Sequence, residues 1–287
     1  MTLFLRAALP LALIALAPTA AALAADYDPP VYVEQAEEYV PVEIGSGWYL
    51  RGDVGYAMSA RSTGIFTYRT FDPLAIPPYS TSNFVTGGID TDLTAGIGIG
   101  YQFNQYLRGD VTLDGFRGQF TGSTAAPAPC LPDAIYVGTT CRSEDTADFS
   151  VVSLMANGYV DLGTYAGFTP YAGAGLGTSY VSWSGLDNQS FCVNGVNPCP
   201  VPGGATTATP HPGEKSWRFT YAFMGGVAYD ITKNFKVDLG YKYTKIAEGP
   251  MFGWGAVVAA SGASGVQGRD PGMAQHEVRV GLRYALW

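Results

Sequence analysis

Hydrophobic and polar residues alternate with a period of two along most of the chain from Trp48 onward. This alternation is typical of β-strands, whose successive side chains point to opposite faces, and a helical period of 3.6 residues is hard to find. The pattern predicts eight strands, which span 47–58, 89–103, 106–117, 147–162, 169–183, 216–231, 235–246 and 273–286.

The connections between these strands alternate between short and long. The short ones are 104–105, 163–168 and 232–234, whereas the long ones are rich in Gly, Pro, Ser and Thr and span 59–88, 118–146, 184–215 and 247–272. Short turns at one end and long loops at the other are typical of membrane barrels. The sequence therefore predicts an all-β fold, an eight-stranded antiparallel up-and-down transmembrane β-barrel with both termini in the periplasm.

The two faces of the predicted strands differ in charge. One set of alternate positions, which includes Leu50, Val54, Ile97, Leu113 and Leu154, carries no charge. The other set holds seven basic and seven acidic residues: Arg51, Arg108, Arg218, Lys236, Lys242, Arg279 and Arg283 against Asp53, Asp110, Asp114, Asp161, Asp230, Asp238 and Glu277. Either face could point outward on polarity alone. The loop asymmetry, and the aromatic residues concentrated at strand ends, favour an apolar outer face with two interfacial girdles.

The charged face is then expected to fill the lumen with ion pairs. An eight-stranded barrel is just wide enough inside for its own side chains, and a charge left alone there would be costly. Leu-Arg-Gly-Asp-Val occurs twice, at 50–54 and 107–111, and suggests an integrin-binding tripeptide. Because both copies lie inside strands, luminal pairing is the preferred interpretation.

Composition and net charge exclude several classes of protein. Charged residues make up 14% of the chain, against about a quarter in soluble proteins. The 13% of aromatic residues excludes intrinsic disorder. The net charge of -8, without a basic run, argues against nucleic acid as a partner.

The N-terminal residues predict export. Arg6, the apolar run 7–17 and the small-x-small pattern at 22–24 are typical of a signal peptide that spans 1–24. A membrane anchor is the alternative, but Pro10 and Pro18 interrupt the apolar run. The acidic, Pro-containing residues 25–45 are interpreted as a solvated periplasmic segment that precedes the barrel at 46–287, and binding of a periplasmic partner is the alternative.

Three segments resemble a known family. They are GWYLRGDVGY at 47–56, YDITKNFKVDLGYKY at 229–243 and HEVRVGLRY at 276–284. They are similar to the small opacity-like surface-antigen barrels of the Gram-negative outer membrane. The resemblance covers about residues 46–287 and implies that the barrel-assembly machinery reads a C-terminal aromatic signal, here Tyr284 and Trp287. It concerns strand patterns, so it implies a fold more strongly than a function.

Four cysteines follow the predicted signal peptide, two in each of two long connections. An oxidising periplasm favours two disulfides within these connections, Cys130–Cys141 and Cys192–Cys199, and cross-loop pairs would mean that the two loops pack together. The spacings do not fit a zinc site. No metal or cofactor is predicted.

Three hypotheses on function remain open. The first is an outer-membrane anchor that displays its loops as a surface antigen or adhesin to an extracellular ligand or host surface, with membrane lipid around it. The second is a narrow porin-like channel for small solutes. The third, an envelope-lipid enzyme, lacks a Ser-His-acid set, because Glu277 beside His276 points to the opposite face and His211 lies in a Pro-flanked loop. We therefore expect no catalytic activity.

Overall fold

The computed structural model describes residues 47–126, 140–193 and 209–286. The predicted signal peptide, the segment 25–45, Cys130, Cys199 and Trp287 lie outside these residues. None of the helices in the described residues reaches the length and hydropathy needed to cross a membrane. The elements are β1 (Trp48–Ser62), β2 (Thr67–Phe71), β3 (Tyr79–Asn83), β4 (Thr86–Gln102), β5 (Leu107–Ser123), β6 (Ala125–Ala126), β7 (Thr140–Asp161), β8 (Phe168–Trp183), β9 (Leu186–Val193), β10 (Thr209–His211), β11 (Lys215–Asp230), β12 (Phe235–Ile246), β13 (Gly249–Phe252), α1 (Ala256–Ala260), β14 (Gly268–Asp270) and β15 (Met273–Ala285).

Eight long strands form a closed ring. In order around the ring they are β1, β4, β5, β7, β8, β11, β12 and β15, and β15 pairs with β1 to close it. Every neighbouring pair is antiparallel. The predicted eight-stranded antiparallel up-and-down barrel is confirmed, and closure leaves the ring without an unpaired edge.

Several strands run further toward the long loops than their alternation predicted. β1 continues to Ser62, β5 to Ser123, and β7 begins at Thr140. The pairing shifts by one residue between Ala57 and Ser59 in β1 and between Thr91 and Thr94 in β4. Such a bulge moves the following side chains to the other face, so a strict two-residue pattern ends there although the strand goes on.

The short turns lie together at one end of the barrel, which we call the turn end; the opposite end is the loop end. Between β7 and β8, Tyr165 and Phe168 exchange two backbone hydrogen bonds of 2.9 Å around Ala166 and Gly167. Both central residues have a positive φ, 51° and 85°, as in the two-residue hairpin turns that suit twisted strands. This turn fixes the β7–β8 register.

The two faces of the barrel wall differ as the alternation predicted. Alternate side chains on the outside are apolar and exposed, and those on the inside are buried and include the charged residues of the predicted inner face. The outside band includes Leu50, Val54, Leu93, Ile97, Ile99, Val111, Leu113, Val152, Leu154, Leu176, Phe219, Phe223, Leu239, Val280 and Leu282.

The described parts of the long connections add further structure at the loop end. β3, β2, β14 and β13 form a separate four-stranded sheet from the first and fourth connections. From the third connection, β9 extends the barrel sheet beside β7, and β10 pairs with β9. The loop end is therefore built by contacts between connections that are far apart in sequence.

Candidate functional site

The lower lumen, nearer the turn end, is filled by ion pairs of the predicted charged set. Arg51 donates hydrogen bonds to Asp53 at 2.7 Å and Asp110 at 2.8 Å, so the two Arg-Gly-Asp segments meet across the lumen. Arg108 contacts Asp161 at 3.0 Å and lies over the Tyr159 ring, 3.9 Å from its centroid. The charged side chains of both Arg-Gly-Asp copies therefore form contacts inside the barrel.

A second cluster centres on Asp114. Its carboxylate accepts hydrogen bonds from Lys242 at 2.9 Å and Arg279 at 3.0 Å. Arg279 also contacts Glu277 at 2.9 Å, and the Thr94 hydroxyl donates to the same carboxylate at 2.6 Å. The four charged side chains are buried, so each depends on the others for its pairing.

The remaining luminal charges also form pairs. Arg283 binds Asp238 through two nitrogen atoms, at 2.8 and 3.2 Å. Lys236 and Asp230 lie 2.7 Å apart at the turn end, where their side chains are 33% and 31% exposed. The structure thus places each of the fourteen charged residues of the predicted face in an ion pair.

Arg218 has a partner that the strand pattern could not supply. Its guanidinium lies 2.7 Å from Asp270 of β14, and both side chains are buried. Asp270 also accepts hydrogen bonds from the Trp183 indole at 3.3 Å and the Gly272 amide at 3.0 Å. Arg218 also donates a hydrogen bond to the Pro250 carbonyl at 2.7 Å. This barrel-strand residue therefore contacts the fourth connection at both Pro250 and Asp270.

The upper lumen is closed by an apolar cluster, which sequence reasoning missed. Phe120, with no exposed surface, packs against Phe66 at a ring-centroid distance of 4.6 Å. Phe149 and Trp183 stack nearby at 4.7 Å. We call this cluster the apolar plug; its buried members are Phe66, Phe84, Ile89, Phe120, Ala147, Phe149, Val151, Val181, Trp183, Leu186, Ile246, Met251, Phe252 and Met273. Continuing the alternation of β5 past residue 117 would have placed Phe120 inside.

A buried carboxyl group lies where the second and third connections pair with each other. Asp145 of β7 accepts hydrogen bonds from the Ser143 hydroxyl at 2.6 Å and the Asn188 amide at 2.5 Å. Burial raises the pKa of Asp145 above its usual range, and the two hydrogen bonds act in the opposite direction.

The same pairing bears on the predicted disulfides. The β7–β9 register places Cys141 opposite Cys192, although the sequence assigns them to different loops. The within-loop bonds, Cys130–Cys141 and Cys192–Cys199, stay a prediction. Mapping peptides of the unreduced protein tests them: a peptide that joins Cys141 to Cys192 would contradict the prediction. Reduction is expected to leave the strand content of the barrel unchanged, because neither Cys141 nor Cys192 belongs to the apolar plug that packs inside the barrel.

The loop end presents an exposed hairpin between β2 and β3. At its tip Leu74 and Ile76 are 91% and 100% exposed. The turn is ordered by hydrogen bonds from the Leu74 amide to the Asp72 carboxylate at 2.9 Å and from the Asp72 amide to the Pro78 carbonyl at 2.9 Å. An apolar tip on a hydrogen-bonded turn is a surface that can bind a partner without first becoming ordered.

The base of this hairpin is held by aromatic and cationic stacking. The Arg69 guanidinium lies 4.0 Å from the Tyr79 ring centroid and 5.8 Å from that of Trp254, which belongs to the fourth connection. The Phe71 ring packs against the Tyr79 ring at a centroid distance of 5.2 Å, and edge-on against the Trp254 ring at 6.2 Å. Hydrogen bonding with Ser264 lowers the pKa of Tyr79 from its usual value. These contacts join the first and fourth connections.

The candidate acid–base residues do not form a catalytic set. His276 lies on the outside face, where a 2.6 Å hydrogen bond joins its Nδ1 to the Tyr241 hydroxyl. Glu277 points into the lumen toward Arg279. The His211 ring packs edge-on against the Phe252 ring, with their centroids 5.4 Å apart. Among the described residues no group of three or more His, Cys, Asp or Glu side chains could hold a metal ion.

A comparison against known protein families agrees with the barrel fold. The family described as outer membrane protein beta-barrel domain matches residues 9–285. This chain belongs to that family. The protein therefore resides in the outer membrane of a Gram-negative bacterium, where the apolar side chains on the outside of the barrel contact lipid.

Related proteins come from several bacteria. An uncharacterized protein of Brucella suis is 34% identical over 275 residues, with 92% of each chain covered. A putative adhesin of Rickettsia felis is 26% identical over 206 residues, which cover 70% of this chain and 73% of the relative. Among solved structures, neisserial surface protein A is 18% identical with a TM-score of 0.44, covering 84% of this chain and 98% of the other.

Proposed function

We propose that this outer-membrane barrel is a closed scaffold that displays its loop end outside the cell to bind another surface. The observation that carries the proposal is the hairpin tip, where Leu74 and Ile76 are almost entirely exposed on an ordered turn. Exposed apolar side chains of this kind are a feature of interaction sites.

The interior supports a scaffold rather than a passage. Ion pairs fill the lower lumen, and the apolar plug fills the upper lumen. The plug includes Phe66 and Phe84 from the first connection and Met251 and Phe252 from the fourth. The same side chains that close the barrel therefore hold the displayed loops in place, which lowers the entropy lost when a partner binds.

The relatives support a surface role. The Rickettsia felis relative carries the name putative adhesin, and two proteins of Rickettsia bellii with that name are 26% identical to this chain. The partner that fits the hairpin tip is a protein with an apolar pocket, on the extracellular matrix or on a host cell.

The adhesion test compares whole cells that produce the barrel or its variants. We expect wild-type cells to adhere to matrix-coated surfaces or cultured cells, and Leu74→Ser with Ile76→Ser to reduce binding affinity about tenfold or more, because two exposed apolar side chains lose their burial against the partner. Attached cells are counted after washing, and flow cytometry of an epitope tag verifies equal surface amounts.

The matched control is Val257→Ser on α1, where an apolar side chain is 81% exposed on a different connection. It should leave adhesion unchanged. Equal losses in both variants, or no adhesion by wild-type cells to any surface tested, would contradict the hairpin as the binding element.

A further inference from the structure

The outside of the barrel carries a row of basic residues above its apolar band. Within the described pairing, Lys245 of β12 lies opposite Ala274 of β15, and Ala274 lies opposite Arg61 of β1. Their side chains are outside, because the intervening positions Ile246, Met273 and Ala60 contact the apolar plug within the lumen. Arg61 and Lys245 thus stand on either side of a small side chain, about 10 Å apart across two strand spacings.

This row lies at the height where the lipid-facing band ends. Lys245 is ten residues beyond Phe235 and Ala274 is ten residues before Tyr284, both of which lie near the turn end. Ten strand residues tilted as in membrane barrels rise about 25 Å, which is the height of the apolar band in such proteins. Outside residues further down these strands are apolar or aromatic, such as Leu239, Val278 and Val280. The basic row therefore borders the headgroup layer at the loop end.

The charges of this row are not neutralised within the described part of the chain. Neither Arg61 nor Lys245 forms an ion pair there, in contrast to the luminal basic residues. The outside positions of β12, β15 and β1 include no acidic residue. The nearest acidic residue along the chain from Lys245, Glu248, follows the end of β12 and forms no ion pair among the described residues.

The remaining strands differ from this sector. On their outside a groove of about 850 Å³, lined by residues from β4 to β11, contains Arg117 and Lys215 together with Asp90 and Asp148. The acidic residues in this groove offset its basic ones. Among the described residues, the outside positions of β12, β15 and β1 carry basic side chains and no acidic one.

We propose that Arg61 and Lys245 together bind the phosphate of a membrane-lipid headgroup above Ala274. Arg61 supplies a planar fork of donors that matches phosphate oxygens, and Lys245 adds a flexible point charge. The small Ala274 side chain leaves room for the phosphate between them. The acyl chains of the same lipid lie along the apolar band. Between the phosphate site and this band lies the His276 ring, whose centroid is 5.1 Å from that of Tyr243 and whose Nδ1 shares a hydrogen bond with the Tyr241 hydroxyl.

The test measures lipid binding by the full-length barrel in neutral detergent with native mass spectrometry. The probes are diphosphorylated lipid A, the same glycolipid without phosphates, and inorganic phosphate. We expect the phosphorylated lipid to bind the wild type at least about tenfold more tightly than the dephosphorylated one. Arg61→Gln with Lys245→Gln should remove that preference, and Arg61→Lys should retain part of it.

The matched control is Arg117→Gln with Lys215→Gln, which removes the same charge from the groove of mixed charge and should change the affinity less than about twofold. Mobility of unheated protein on gels checks that every variant is folded. Equal affinity for both glycolipids, or equal weakening by both double variants, would overturn the proposal. Displacement of the lipid by millimolar inorganic phosphate would show a site for soluble phosphate instead.

Discussion

Replacing Asp114 with Ala is expected to lower the free energy of unfolding of the barrel by about 3–5 kcal/mol. Asp114 receives hydrogen bonds from both Lys242 and Arg279 in the lower lumen, and its side chain is buried. Without it, Lys242 has no remaining ion-pair partner in the described part of the chain, whereas Arg279 keeps Glu277. The cost therefore comes mainly from one buried, uncompensated ammonium group.

Urea unfolding in lipid vesicles, followed by tryptophan fluorescence, measures this effect. The chain offers a matched control in Asp230→Ala, because the Asp230–Lys236 pair at the turn end is about one third exposed. Such a pair contributes only about 0–1 kcal/mol. Adding Lys242→Met to Asp114→Ala should recover much of the stability, since the unpaired charge is then removed. Equal losses in Asp114→Ala and Asp230→Ala would show that burial of the network does not govern its energetics.

The lumen is expected to conduct no steady current in planar lipid bilayers, and removing the luminal charges alone should not open it. Arg51→Ala with Arg108→Ala breaks ion pairs in the lower lumen, but leaves the apolar plug above them intact. Water and ions still meet an apolar barrier there. We therefore expect long-lived openings only when this double variant is combined with Phe66→Ser, Phe84→Ser and Phe252→Ser, which add polar groups and free volume to the plug.

Single-channel recording at matched protein density distinguishes these cases. Arg117→Ala with Lys215→Ala, which removes two basic side chains outside the lumen, is the control and should remain silent. A large and stable conductance of the wild type would contradict the closed scaffold and favour the channel hypothesis. Frequent openings of the Arg51→Ala, Arg108→Ala variant alone would show that the apolar plug by itself does not block the passage of ions.

The alternation pattern predicted some of the contacts inside the barrel and missed others. It predicted that Arg51, Asp110 and Arg108 share the inner face, and the structure joins them in ion pairs with their neighbours. It did not identify Asp270 as the partner of Arg218, because Asp270 belongs to a three-residue strand inside a long connection. It also missed the plug, because Phe120 lies beyond the predicted end of its strand and other plug members, such as Phe66 and Phe252, belong to long connections that carry no strand pattern.

The sequence by itself determined the number of barrel strands, their two faces and the alternation of turns and loops, because these depend on side-chain direction within one strand and on local turn chemistry. The tertiary structure alone decided what the loop end looks like. Closing the ring places β1 beside β15 and so brings the first connection against the fourth; Arg69, for example, donates to the Val266 carbonyl from 197 residues away. Contacts across such a separation follow from ring closure and three-dimensional packing, which no local period encodes.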